Sequence, residues 1–538
     1  MALRHICYHH WTFNLAGRFL HIMIFVSSLQ MQPLIAQSSL VDELGCGNCH
    51  SGLKPSNIIM QRAPDLSYSG LKYNEAFVYD YLKSPKKIRN HIGKSRMPDF
   101  GLADNEALAL TKYLMSQKTL PGNKNLESKR IKPNDKGFNL IHNDYQCTAC
   151  HKLNGVGVLQ STDLTDAGVR LKNNWLYDLL LHPASYIPRE SPMPTFFNKE
   201  NSNDDKIIKD MVGYLSYKGE KQRSQLEKQL QNIEKKYPDI SKDDGRLVFL
   251  SQNCIGCHTL KGENTWFKDH NAPDLSAQRM RTKTSWLIDY LKNTYAIRPH
   301  GYFPGTGSRM PNYNLSDTEI DTLVSWLGQM KMKTKLEPVS VFQSQKAERL
   351  LNDNLACLGC HQLNGKGGKI GPDLSIAGNR LTDGYIKMSI EMPHMVLPES
   401  IMPKIQMPKN LMELIQSYLA HTNMETKSEY ANLIKTPPYE VSTSYSANCA
   451  PCHGILGDGS GFNAPNLPVS PGNFTDEKII SLRSDNTLFD TIYGGGRIMN
   501  KSHFMPPWGQ KLSRQEIVEY VSQIRKFCQC NPPDWSKN

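Results

Sequence analysis

The pattern Cys-x-x-Cys-His occurs five times in this chain of 538 residues, and it constrains the fold more than any other feature. The first cysteines of the copies are Cys46, Cys147, Cys254, Cys357 and Cys449. A spacing of roughly 100 residues is too long for a solenoid repeat and suits one small domain per copy. The sequence therefore predicts five tandem domains.

Each copy supplies two thiols and an adjacent imidazole. The second cysteines are Cys49, Cys150, Cys257, Cys360 and Cys452, and the histidines are His50, His151, His258, His361 and His453. Such a motif is typical of covalent haem attachment: the thiols add across the two vinyl groups and the histidine becomes an axial iron ligand. The pattern thus predicts five covalent haem c groups.

Other uses of paired cysteines fit less well. Structural zinc takes four ligands and often shares one ion between two cysteine pairs, whereas five identical units, each followed by its own methionine, do not pair in this way. Thioredoxin-like chemistry needs a βαβ setting, and no strand-rich alternation is visible. Disulfides are compatible with an oxidising compartment but leave the five histidines unexplained.

Five further features follow the motifs in a fixed order, three of them in all five copies and two in four copies. A Pro-Asp-Leu element stands at Pro64, Pro273 and Pro372, and in altered form at Thr162-Asp163-Leu164 and Pro465-Asn466-Leu467. Then come, in four copies, a cation (Lys72, Arg170, Arg281, Arg380) and an aromatic residue (Phe77, Trp175, Trp286, Tyr385). A methionine before proline follows in all five copies (Met97, Met193, Met310, Met402, Met505), and an amphipathic run closes each copy with Tyr113, Tyr214, Trp326, Tyr418 or Tyr520.

These residues and their order resemble the class I cytochrome c domain, over nearly all of the chain after residue 36. The resemblance implies an all-α fold, with three main helices around one haem in each domain, His/Met ligation of the iron, and electron transfer. It makes the five methionines the expected sixth ligands. A single arginine would more often be a solvated cation, and a single tryptophan a core residue, but the fourfold register favours a shared role.

Elementary chemistry gives each recurring residue a task. The carbonyl of the Pro-Asp-Leu proline is expected to accept the Nδ1 proton of the axial histidine and so fix its tautomer and orientation. Lys72, Arg170, Arg281 and Arg380 are expected to pair with haem propionates. The aromatic residue that follows is expected to open a helix and pack on the porphyrin edge.

The repeats set the predicted boundaries. Module 1 spans 37–120, module 2 spans 137–217, module 3 spans 243–332, module 4 spans 345–421 and module 5 spans 440–531. Residues 1–36 resemble a cleaved secretory leader, with an uncleaved membrane anchor as the less favoured alternative because the apolar run is short and interrupted. Polar linkers join the domains, and residues 218–242 are expected to form an exposed helical spacer that sets the distance between the halves.

Modules 4 and 5 depart from the pattern. In module 4, Met402 aligns with Met193, while Met407 and His394 are alternative ligands. Module 5 is glycine-rich and looks more like small soluble cytochromes and the cytochrome domains of terminal oxidases; Arg497 is its propionate candidate. Ser316 with Glu319, and Ser513 with Glu516, predict capping boxes of the last helices in modules 3 and 5. Cys528 and Cys530 lie outside any motif, and their spacing would strain a mutual disulfide.

Function follows from the filled ligand sets. Irons with two protein ligands have no site for substrate, which favours an electron carrier in a respiratory chain over an enzyme with one open haem, of the peroxidase or nitrogen-oxide reductase type. A cytochrome subunit of a dehydrogenase or oxidase complex, associated with the membrane, is the other alternative. The formal charge of +12 is offset by haem propionates and indicates no nucleic-acid partner. Unidentified redox proteins are the expected partners, in the periplasm or another exported location.

Overall fold

A computed structural model describes residues 40–50, 52–123, 125–186, 193–263, 272–298, 309–328, 334–397, 400–424, 427, 429–430, 432, 434 and 444–536. The expected leader, residues 1–36, lies outside the described residues. The described chain is mainly helical, with two short β-hairpins, so the predicted all-α fold is confirmed. None of the helices in this part of the chain is long and apolar enough to cross a membrane.

The helices repeat in the order that the motifs predict. Helices before the motifs are 40–44, Gly137–Asn139 continuing as Leu140–Asp144, Lys242–Ser251, Val341–Asp353 and Ser444–Asn448. The cations end the short helices Ser69–Lys72, Ala167–Arg170, Gln278–Arg281 and Ala377–Arg380, and the aromatic residues lie in the first turns of Glu75–Lys83, Asn173–Leu181, Thr284–Lys292 and Asp383–Glu391. The last helices are Asp104–Ser116, Ser202–Lys236, Asp317–Leu327, Lys409–Ala420 and Arg514–Cys528. The remaining helices are Asn57–Arg62, Pro393–Val396, Ala450–His453, Glu477–Ile480 and Asp485–Gly494.

Modules 2 and 4 each contain an antiparallel hairpin directly after the histidine. The strands Lys152–Leu153 and Val156–Gly157 pair in module 2, and Gln362–Leu363 pairs with Lys366–Gly367 in module 4. Both turns are Asn-Gly with positive φ at the two central residues, the geometry that favours a two-residue hairpin. The hairpin turns the chain back on itself, so that each module closes over its own motif.

Modules 1 and 3 instead share their halves. The helix Lys242–Ser251 of module 3 crosses the helix Asp104–Ser116 of module 1 so closely that a Cβ atom on Gly245 would lie 1.9 Å from the carbonyl oxygen of Ala109. One buried cluster contains Leu66 and Leu108 together with Phe249. We call residues 64–120 with 242–263 unit A.

The complementary halves form unit B, residues 40–50 with 272–298 and 309–328. Its buried cluster joins Leu40 and Leu44 of module 1 to Leu287, Ile320 and Leu323 of module 3. Modules 1 and 3 are therefore sequence repeats whose cores are built from halves of both. The five-module division of the chain stays a prediction, but within the described residues these two modules do not have independent cores.

The helix that was expected to act as a spacer also packs against unit A. The last helix of module 2 runs without a break from Ser202 to Lys236. Leu230 is buried in the core cluster of unit A, and Leu226 and Ile233 pack against it. The predicted helix is confirmed and most of its residues are exposed. Its apolar residues, however, recur on one face and cover unit A.

Both predicted capping boxes are present, at Ser316 with Glu319 and at Ser513 with Glu516. The last two cysteines, Cys528 and Cys530, form a disulfide. Gln529 between them has φ 52°, a left-handed conformation that bends the chain and brings the Cα atoms to 5.1 Å, within the usual range for a disulfide.

Candidate haem sites

A tight turn presents the three attachment groups in every copy of the motif. The turns are Cys46–Asn48, Cys147–Ala149, Cys254–Gly256, Ala356–Gly359 and the short helix Ala450–His453. In all five, the backbone N–H of the histidine donates to the carbonyl of the first cysteine at 2.9 Å. Burial raises the pKa of the Cys46 thiol to about 12 and that of Cys357 to about 11. The loops therefore offer neutral thiols beside an imidazole.

Every motif histidine is oriented by one backbone carbonyl. The Nδ1 atoms lie 2.9 Å from Pro273 O for His50, 2.7 Å from Thr162 O for His151, 3.0 Å from Pro64 O for His258, 2.7 Å from Pro372 O for His361 and 2.9 Å from Gly472 O for His453. Because a carbonyl only accepts, Nδ1 carries the proton and Nε2 keeps its lone pair. Burial lowers the pKa of His50, His258, His361 and His453, which favours neutral rings. These are the tautomer and charge of an iron ligand.

The source of the carbonyl differs from expectation in three copies. His50 and His258 use the Pro-Asp-Leu element of each other's module, because units A and B are built from exchanged halves. In module 5 the expected Pro465-Asn466-Leu467 does not supply it, and Gly472 does. Pro471, just before Gly472, is the third proline after the glycine-rich loop, and it was the available signal for this position.

The candidate methionines divide into two groups. Met97 packs against the cluster of unit A, as does Cys254, and Met310 packs against that of unit B, as does Cys46. Met505 and Cys449 pack against one cluster in module 5. Met193, Met402 and Met407 are partly buried in loops. The ligand roles of these three, and of His394, stay predictions.

Three of the predicted propionate partners are buried cations in equivalent positions: Arg170, Arg281 and Arg380 are 8%, 9% and 8% exposed. Arg170 donates to Asp163 O at 2.9 Å, and Arg281 approaches Asp274 O at 3.4 Å. Burial lowers the pKa of Arg380 to about 10, so it remains charged at neutral pH.

Unpartnered donors give a direct test of whether a haem fits. Among the described residues, the buried Nε atoms of Arg281 and Arg380 and the indole Nε1 of Trp175 have no hydrogen-bond acceptor. Buried donors are nearly always paired in native proteins, and a carboxylate is the natural acceptor for a buried guanidinium. The residues present therefore fit a group that brings carboxylates, as haem does.

The other two predicted cations lie elsewhere. Lys72 is half-buried, with Nζ 5.4 Å from the centroid of the Trp175 ring in module 2. Arg497 is exposed and donates to the carbonyl oxygen of Asn354 in module 4 at 2.9 Å. Arg497 thus lies at a joint between modules and does not share the buried setting of the three arginines.

Two known families match parts of the chain. Residues 243–331 match the family described as cytochrome c, and residues 440–522 match cytochrome c oxidase, cbb3-type, subunit III. A nitric oxide reductase subunit of Stutzerimonas stutzeri is 34% identical over 88 residues, which make up 15% of this chain and 53% of that protein. The chain thus matches about half of the length of this relative.

The chain therefore contains two cytochrome c domains, at modules 3 and 5. Domains of this type bind covalent haem c and transfer electrons. The match at module 5 agrees with its predicted likeness to the cytochrome domains of terminal oxidases.

Proposed function

We propose that this protein is an electron relay with five covalent haem c groups, each held by a histidine and a methionine. A bound haem c supplies an iron that takes up and releases one electron. A donor redox protein is then oxidised by one electron at one end of the relay, and an acceptor redox protein is reduced by one electron at the other. The observation that carries the proposal is the fivefold repetition of one imidazole geometry, with Nδ1 committed to a carbonyl.

The protein's own groups favour transfer over substrate chemistry. The carbonyl holds each imidazole in one orientation, which limits movement of the ligand during a change of iron charge. A methionine would supply the second protein ligand of each iron and would favour a relatively high potential. The ligands proposed for the five sites are His50, His151, His258, His361 and His453 with Met97, Met193, Met310, Met402 and Met505. With both positions filled, no iron has a site for substrate.

The buried arginines supply a second contribution. In addition to burial, the charge of the neighbouring Arg281 lowers the pKa of Arg380. Two neighbouring buried cations need anionic partners, and a propionate from each of two haems would satisfy both. This requirement supports haem binding in module 4 as well as in unit B.

A second part of the proposal concerns the cellular location of this chain and the complex with which it associates. The matched family and the relative both carry names of subunits, of a cytochrome c oxidase and of a nitric oxide reductase. We place this chain as a cytochrome subunit beside a respiratory complex, in an exported location to which the leader-like residues 1–36 direct it. Co-purification of a tagged chain from solubilised membranes tests this level; recovery of the chain alone from the soluble exported fraction would contradict it.

The central test is a haem count with carbon monoxide. The intact mass and the pyridine haemochrome of the purified protein should give five haems. The spectrum of the reduced protein should not change on adding carbon monoxide, because the proposal gives every iron two protein ligands. A lower count would remove the five-haem relay. One haem that binds carbon monoxide would instead favour an enzyme, and the fourth module, with its Met402, Met407 and His394 alternatives, is where we would look first.

A further inference from the structure

We infer that modules 1 and 3 complete each other's haem sites, and that the five sites therefore adjoin in the order 2, 3, 1, 4, 5 rather than in the order of the sequence. This inference rests on the proposed haem binding and adds which methionine faces which histidine. Met310 is assigned to the site of His50, and Met97 to the site of His258. Sequence order alone pairs these residues the other way.

The site in unit B combines three parts of the chain. His50 and Cys46 come from module 1, while Pro273, which holds His50, comes from module 3. Met310 packs against the same buried cluster as Cys46. Among the described apolar residues of module 1 beyond 50, only Leu53 packs against this cluster. The ligand opposite His50 is therefore supplied by module 3.

The site in unit A is the reciprocal. His258 is held by Pro64, and the backbone N–H of Leu66 donates to Thr259 O at 2.9 Å. The equivalent bond in module 2, from Leu164 to Lys152, joins residues of one module. Met97 packs against the cluster that contains Ile255 and Leu260. The local geometry of the site is thus the same as in module 2. Here, however, the histidine comes from module 3 and the carbonyl that holds it from module 1.

Two reciprocal ion pairs join units A and B beside the two methionines. Arg96, next to Met97, binds Glu319 through both nitrogens at 3.1 and 2.9 Å, and Arg309, next to Met310, lies 2.9 Å from Glu106. Each glutamate is the capping residue of the other unit's last helix. A short antiparallel bridge between Asp99 and Asn312 lies beside them. The two methionine loops are therefore bound to each other across the interface of the units.

The sites adjoin through two kinds of contact. The first is a seam of backbone hydrogen bonds beside the cations. Asn74 N–H donates to Arg170 O and Lys172 N–H to Lys72 O, which joins unit A to module 2. The same pair of bonds, from Lys283 to Arg380 O and from Thr382 to Arg281 O, joins unit B to module 4.

The second kind of contact joins attachment loops directly through a buried asparagine. Asn253 donates to Asn48 O at 3.1 Å and lies 3.6 Å from the sulfur of Cys49, which joins units A and B. Asn463 donates to Gly359 O at 2.9 Å and lies 3.5 Å from the sulfur of Cys452, which joins modules 4 and 5.

Alternating these contacts gives the order of the attachment sites. Module 2 meets unit A, which holds the motif of module 3; unit A meets unit B, which holds the motif of module 1; unit B meets module 4, and module 4 meets module 5. The sites at Cys147 and Cys449 are then the two ends. Without the exchange of halves, the sites of modules 1 and 3 would change places in this series.

The test counts low-spin, six-coordinate haems in paired ligand variants of the full holoprotein. His50→Ala combined with Met310→Ala removes both ligands of one haem, so about one fifth of the low-spin signal should be lost. His50→Ala combined with Met97→Ala removes one ligand from each of two haems, so about two fifths of the low-spin signal should be lost. The opposite result would overturn the inference. His453→Ala with Met505→Ala, both within module 5, is the control for loss at one haem.

A second measurement does not depend on maturation of the variants. Lys112 donates to Ile240 O at 2.7 Å, which places it close to Lys242 in unit A. A short amine-reactive cross-linker on the wild-type holoprotein should join Lys112 to Lys242 within one chain. Absence of that link, with the helix Lys242–Ser251 linked to module 3 alone, would overturn the exchange. An unexpected haem count or carbon monoxide binding in the wild type would speak against the relay and leave this chain pairing intact.

Discussion

The Nδ1 atom of His50 lies 2.9 Å from the carbonyl oxygen of Pro273, a residue 223 positions further along the chain. The reciprocal bond, from His258 to Pro64, spans 194 positions. Modules 2 and 4 make the same bond over 11 positions. The same histidine–carbonyl bond is thus formed within one module in modules 2 and 4, and between modules 1 and 3. The connection of the chain decides which methionine each histidine faces.

Removing one partner of the pair Arg309 and Glu106 should destabilise the exchanged units. Their side chains are 4% and 0% exposed, with 2.9 Å between nitrogen and oxygen. Glu106→Gln leaves the guanidinium buried without its counter-charge, and such a loss costs about 3–5 kcal/mol. We expect a clear fall in the guanidinium unfolding midpoint. Glu516→Gln, at an exposed capping box of the same type, is the control. Glutamine can still accept the capping bond, so this change should cost about 0.5 kcal/mol or less; equal losses would contradict the account.

Glu319 should make the interface sensitive to acid. Burial raises its pKa, but the bonds from Arg96 and Ser316 outweigh burial and lower the pKa from 4.5 to about 2. A carboxylate with a lowered pKa stabilises the fold above its unfolded pKa, so this contribution should be lost as the pH falls from about 4.5 towards about 2. A difference of this size corresponds to about 3 kcal/mol.

The measurement is the free energy of unfolding against pH for the wild type and for Glu319→Gln. The variant should be less stable at pH 6 and should lose less stability across that acid window. Parallel curves for the two proteins would show that Glu319 does not report on the interface.

Gly245 gives a test of which helices cross. Its Cβ position lies 1.9 Å from Ala109 O, so Gly245→Ala must push the helix Asp104–Ser116 aside. Amide hydrogen exchange should accelerate in that helix of module 1. In Gly137→Ala, the matched control, a Cβ would lie 2.6 Å from Asp210 O, and exchange should accelerate in the helix Ser202–Lys236 of the same module. Acceleration in Asp317–Leu327 on changing Gly245 would contradict the exchange of halves.

Asn463 should hold modules 4 and 5 together. It is fully buried, donates to Gly359 O at 2.9 Å and accepts from Lys369 N–H at 3.0 Å. Asn463→Ala leaves both backbone groups without this partner, at a cost of about 1–3 kcal/mol for a buried group. We expect faster exchange of the Lys369 amide. Asn473→Ala is the control, because Asn473 is exposed and bonds only locally to Thr475; the same acceleration there would remove Asn463 from the joint.

The sequence predicted the local parts well because they depend on short-range rules. The aromatic residue in the first turn of the next helix and the capping boxes at Ser316 and Ser513 both involve residues a few positions apart. The buried setting of Arg281 and Arg380 agrees with the fourfold register of the cations. Each of these features recurs, and the repetition separates it from chance.

The repeats alone did not predict the exchange of halves, because both ways of connecting the chain form the same histidine–carbonyl bonds. A signal was nevertheless present: Asn154-Gly155 and Asn364-Gly365 form the turns that return the chain in modules 2 and 4, and module 1 has no Asn-Gly in the corresponding stretch. The carbonyl of Gly472 was missed because Pro465 matched the expected element more closely.

The most direct measurement is an electron-density map of the crystalline holoprotein with iron located by its anomalous scattering. We expect five iron positions, with the iron between His50 and Met310 on the haem joined to Cys46, and the iron between His258 and Met97 on the haem joined to Cys254. A map that places Met97 opposite His50 and Met310 opposite His258 would contradict the order 2, 3, 1, 4, 5.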